Sequence, residues 1–193
     1  AWDTPASWTP ARNTASITDK LNFSQGGTST VTIPSTGSVG GRVTFSNNTT
    51  ANFQAATSTA TTLTLASLNI PTGSTLMSNG ATGALTVAFS SGAINSIAGR
   101  LEINNTTPVN VLNLTGTTTT VSTSGTLAAG GTVSTSAWLG TSTTTLIVNG
   151  NYEHKYTTVS GTLPSATWAD GSNCNIIGYT TNIGHPSYAQ SFW

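Results

Sequence analysis

Tyr152, His154 and Tyr156 alternate with Glu153 and Lys155. On an extended strand the three rings share one face and the two charges the other. Such a row has two readings. Exposed, it is a platform on which a sugar ring stacks, with Trp168 a further ring for the same ligand. Buried, it is a strand face packed under a neighbouring segment. Acid–base chemistry on a polysaccharide needs paired carboxylates, or cationic side chains working with a metal ion. The five acids (Asp3, Asp19, Glu102, Glu153 and Asp170) are widely separated, and no two stand at i, i+2. Only stacking of one segment on another could join them. Arg100 shares a strand face with Glu102, as Glu153 does with Lys155. These read as surface cross-pairs worth less than about 1 kcal/mol each. His154 and His185 lack metal-ligand spacing. Cys174 stands alone, so no internal disulfide framework exists, and it reads as a small core residue or the partner of a thiol elsewhere. On these residues we expect no catalytic group, metal or cofactor.

The elements that must position these side chains are written in the composition. The chain has 193 residues, of which only 5 % are charged, with a formal net charge of zero. That balance excludes a phosphate-binding surface and hence a nucleic-acid partner. Two Glu and two Lys are too few for a helical bundle. No apolar run approaches the roughly 20 residues of a membrane helix. The 41 Thr and 24 Ser make a third of the chain hydroxylated. Thr and Val favour pleated strands, and Gly and Asn favour tight corners.

A period of two runs through the chain from about residue 28. Val31 and Ile33, Val43 and Phe45, Ala51 and Phe53, Leu63 and Leu65, Leu85 with Val87 and Phe89, Leu101 and Ile103, Leu112 and Leu114, and Leu146 and Val148 all alternate with other residues. Gly-Gly, Asn-Asn and Asn-Gly pairs separate them as turns, among them Gly40-Gly41, Asn47-Asn48 and Gly130-Gly131. Two all-β architectures fit, a sandwich and a β-solenoid. Monotonous outward hydroxyls and inward residues of similar size favour the solenoid, read as a right-handed parallel β-helix. No clean repeat length emerges. Residues 1–27 hold Trp2, Trp8, Pro5 and Pro10 and read as an N-terminal cap, with a helical turn near residues 15–21. Residues 28–193 read as the solenoid, a fragment of a longer chain. Ala1-Trp2-Asp3 reads as a mature N-terminus of a secreted or cell-surface protein. Thr118/Thr120 and Thr143/Thr145 are Thr-x-Thr pairs of the kind that order water on ice-binding arrays, but without regular spacing.

The stretch NGNYEHKYTTVSGTLPSATWADGSNCNIIGYTTN (149–182) resembles a segment of the Thr/Ser-rich β-helical surface proteins secreted by Bacteroidetes. Its features are Tyr-Glu-His-x-Tyr, then Gly-Thr-(Ile/Leu)-Pro-x-Ala-Thr-Trp, then Gly-Ser-x-Cys. Residues 28–55 are similar to the start of the same proteins. The resemblance implies a large parallel β-helix exported by the type IX secretion system, with no catalytic residue to carry over. It implies partners among cell-surface or secretion-system proteins and further repeats of the same chain. The expectation is therefore a non-enzymatic extracellular scaffold or adhesin. The alternative is a carbohydrate-binding or carbohydrate-active module that recognises glycans through Tyr152, His154, Tyr156 and Trp168.

Overall fold

The computed structural model describes residues 2–11, 14–79, 82–132, 136–157 and 162–177. Strands follow one another without an α-helix among the described residues: β1 (Lys20–Phe23), β2 (Thr28–Ile33), β3 (Ser38–Phe45), β4 (Thr50–Ala55), β5 (Thr61–Ile70), β6 (Thr75–Ser78), β7 (Leu85–Phe89), β8 (Ile94–Ile97), β9 (Arg100–Asn104), β10 (Val111–Asn113), β11 (Thr118–Val121), β12 (Thr126–Gly131), β13 (Trp138–Leu139), β14 (Leu146–Val148), β15 (Asn151–Tyr156), β16 (Thr167–Trp168) and β17 (Asn173–Ile176). Among the described residues no strand pairs with its sequence neighbour, and every pairing is parallel. Lys20 lies beside Arg42, Arg42 beside Ser67, Thr75 beside Arg100, Arg100 beside Thr126 and Thr126 beside Asn151, steps of 22, 25, 25, 26 and 25 residues. The chain is thus a parallel β-solenoid of about six turns, and the sandwich is excluded.

One seven-stranded sheet runs β2-β4-β6-β9-β12-β15-β17. The other, ten-stranded, bends around a corner within β3 and β5. The first half of β5 pairs with β7 and its last residues with β8. These two strands, of eight and ten residues, are long because they run through the bend. Gly40-Gly41, which reads as a turn, lies inside β3 at this bend. A Cβ on Gly40 would stand 2.5 Å from the Trp2 ring, and one on Gly41 would overlap the backbone of Asp19. Asn47-Asn48 is a true corner, with φ values of 54° and 53°.

Every alternating apolar residue named above is buried, from Val31 to Val148. The reason is register. Each turn places its residues directly over equivalents in the turn before, so one apolar position becomes a column: Ala51, Leu76, Leu101, Leu127 and Tyr152 on the seven-stranded sheet. Some polar residues in the interior are satisfied by the stack itself, whereas the buried Ser74 and Ser78 hydroxyls find no partner among the described residues. In the column of Leu68, Asn95 accepts from the Leu68 N–H (2.9 Å) and donates to Thr119 Oγ1 (3.0 Å), both side chains being buried.

The N-terminal segment differs from the expected cap. β1 lies within residues 1–27 and already pairs with β3, so the coil starts earlier than residue 28. Residues 17–18 form a turn, closed by Asp19 N–H to Ser16 O at 3.2 Å, and no helix forms there. Trp2 is fully buried, edge-on to Phe53 at 5.7 Å, with its indole N–H on Val39 O at 3.1 Å. No helix of the described residues is long and apolar enough to cross a membrane.

Because Phe53 is fully buried in this stacked interior, Phe53→Ala is expected to cost about 3–5 kcal/mol in chemical denaturation. Thr120→Ala on the outward side of β11 is expected to stay within about 0.5 kcal/mol of the parent. Equal effects would contradict the single-interior architecture.

Candidate functional site

β15 carries the row singled out from the sequence. Its inward positions are Tyr152, His154 and Tyr156, and all three are fully buried. The exposed sugar-stacking platform is therefore corrected to interior packing: these rings offer no free face to a ligand. Trp168 is half-buried and packs edge-on against Tyr152 at 5.9 Å, at the margin of the same cluster. The space for such large side chains comes from the preceding turn. His154 stands over Ala129 and Tyr156 over Gly131, with Ala137 also buried nearby in sequence. Tyr156 reaches past Gly131 to a turn further on, where Asn105 Nδ2 donates to its hydroxyl at 3.4 Å. Gly131 has φ of 143°, and a side chain there would overlap the Asn105 backbone.

Inside the cluster, the Tyr152 hydroxyl and His154 Nδ1 share a hydrogen bond at 3.1 Å. His154 Nε2 has no partner among the described residues. Burial pushes the His154 imidazole down to about 4, so it is neutral at physiological pH. Burial likewise raises the Tyr152 and Tyr156 phenols and pushes the Cys174 thiol up to about 11. Cys174 is thus a protonated, partly buried thiol rather than a nucleophile. His185 lies outside the described residues. Among the described residues no group of three metal-ligating side chains converges.

On the opposite face of the same strand, the charges do converge. Arg100 donates to Glu102 (2.7 Å) and to Glu153 (2.6 Å), and Lys155 donates to Glu102 (2.8 Å). The two pairs that read as independent cross-pairs are one quartet holding four of the chain's ten formally charged residues. Arg100 and Glu102 sit on β9, Glu153 and Lys155 on β15, and β12 runs between them. β12 permits the bridge because its outward residues are small. Ala128 lies buried beneath the charges, and a Cβ on Gly130 would come within 2.6 Å of Lys155 Cβ. Burial pulls the Glu102 carboxyl up, but hydrogen bonds from Lys155 and Arg100 outweigh it and hold it below the ordinary value. For Arg100, bonds to Glu153 and Glu102 likewise outweigh burial and raise the guanidinium. Each cation is neutralised by an adjacent carboxylate, so the quartet is a clamp across three turns. The signal available in the sequence was the 53-residue spacing, two turns plus two residues along the strand, which is unreadable until the turn length is known.

No family model, curated protein or solved structure matches this chain.

Two outcomes follow from the charges. Unfolded His binds its proton near 6.5, whereas folded His154 binds only near 4, so the stabilisation is complete above 6.5 and is lost as pH falls through that window. Urea titrations are expected to show a loss of about 2 kcal/mol between pH 6.5 and 5, absent in His154→Gln. The depressed Glu102 carboxyl adds its pH dependence at lower pH: its stabilisation is fully present above the unfolded value, neutral pH included, and is lost as pH falls through the folded one. Glu102→Gln is expected to cost about 1 kcal/mol near neutral pH, less in 1 M salt, measured by the same denaturation.

Proposed function

We propose that this chain is a non-enzymatic structural or adhesive scaffold displayed outside a bacterial cell, exported as type IX secretion cargo. The observation that carries the reading is the unbroken parallel ladder of both sheets over about six turns under a neutral, hydroxyl-rich exterior. In such a coil the backbone of each interior strand is bonded to the turn above and the turn below, so the body resists bending and local opening. Each added turn lengthens it by about 4.8 Å, which makes reach a matter of turn number. The resemblance of residues 149–182 to secreted surface proteins of Bacteroidetes supports the compartment. Of the five Lys and Arg, Arg100 and Lys155 are tied into the clamp, which leaves few sites for trypsin-like proteases.

Antibodies against the chain are expected to label intact cells of the bacterium that makes it, with labelling lost when the type IX translocon is deleted. Confinement to the cytoplasm would reject the reading. The folded protein is also expected to survive trypsin at concentrations that cleave it in 6 M urea, followed by gel electrophoresis.

A further inference from the structure

The first turn leaves one edge open and builds a groove against it. β1 pairs with β3 alone among the described residues. Asp19 O accepts from Arg42 N–H and Phe23 O from Ser46 N–H, at 2.8 and 2.9 Å. In a parallel ladder backbone groups alternate in direction, so the N–H and C=O of Lys20 and Asn22 point away from β3. The same alternation on β2 turns Thr28, Thr30 and Thr32 outward. Thr32 O is already taken, by the Trp2 N–H at 2.9 Å. The chain therefore covers the far end of the β2 edge with its own start, and leaves β1 and the near end of β2 facing a groove of about 670 Å³. Residues 7–11 form its other wall.

The lining states what fits. Leu21, Phe23 and Val31 are inward positions of the coil, and at this end they lie at the groove. Trp8 stands edge-on to Phe23 at 5.6 Å and flanks that apolar strip. Outward, Lys20 and Arg42 occupy adjacent positions of one row, both exposed and without an acidic partner among the described residues. Asp19, the acid at the rim, accepts from the Ser16 N–H at 2.9 Å.

We infer that the groove takes an extended peptide strand parallel to β1, with an acidic residue beside Lys20 and apolar residues over Leu21 and Phe23. The incoming strand meets the open N–H and C=O groups of Lys20 and Asn22, which supplies affinity, while alternate side chains fill the apolar strip and meet the cations. An aromatic-walled groove with amides also has features a sugar could use. The open strand edge and the unpaired cation row favour a peptide, since neutral sugars use neither. The site is independent of the scaffold reading and would operate in any compartment.

The test uses a fluorescein-labelled peptide, Thr-Glu-Val-Thr-Val-Thr, and fluorescence anisotropy with the full chain. Saturable binding is expected, weakened at least fivefold by Lys20→Glu and weakened by salt. Asn22→Pro removes an N–H that faces the groove and not β3, so it is expected to abolish binding while circular dichroism stays unchanged. Should that variant misfold, Lys20→Glu on the exposed rim decides the matter. Absence of binding at millimolar peptide, binding undiminished in Lys20→Glu, or binding undiminished in folded Asn22→Pro overturns the proposal. Displacement of the peptide by chitohexaose or cellohexaose, or self-association of the chain with no peptide uptake, also overturns it.

Discussion

The structure depends on one constraint: successive turns lie in parallel register, so that each residue has an equivalent directly above and below. Backbone hydrogen bonding ties the turns together and the apolar pattern fixes their register, because a strand shifted by one residue would turn its entire apolar set outward. Once register holds, burial becomes a property of columns and not of single residues. A substitution is felt by the turns on both sides. The column and a neighbouring backbone can supply the partners of an inward polar residue, as Leu68 and Thr119 do for Asn95.

The period-two pattern was legible because each strand has one wet and one dry face. Every alternating apolar residue read from the sequence, Leu63 and Leu65 or Leu85, Val87 and Phe89 among them, is inside. The repeat length was not legible because corners absorb different numbers of residues. Thr119 lies beside Leu146, a step of 27, whereas Ile147 lies beside Thr167, a step of 20. Without that length, partners two turns apart could not be matched, so Arg100 and Glu153 read as strangers. Gly40-Gly41 was read as a turn because glycine marks corners. Here it marks close approach instead, under Trp2 and against Asp19. The Tyr152, His154 and Tyr156 row left two orientations open because polar edges on rings permit either. The decision came from the small residues Ala129 and Gly131 one turn away, which leave room inside.

Charge and hydrophobicity are distributed with little redundancy. Four of ten formal charges occupy one patch, and it is half-buried. Much of the remaining exterior is hydroxyl and amide, which hydrogen-bonds to water without fields of long range. Amide ladders extend the same logic to the corners: Asn104 donates to Asn79 at 3.1 Å, and Asn173 to Asn151 at 3.1 Å. Such contacts link adjacent turns at the surface while the aliphatic columns link them within.

The turn built on β12 carries a run of small residues, with Ala128, Ala129, Gly130, Gly131 and Ala137 in or beside it. It is also the turn that others reach across, by Tyr156 to Asn105 on the inside and by the charged quartet on the outside. This small-residue turn is splinted by its neighbours, so tension along the axis would load side-chain struts in parallel with the backbone there.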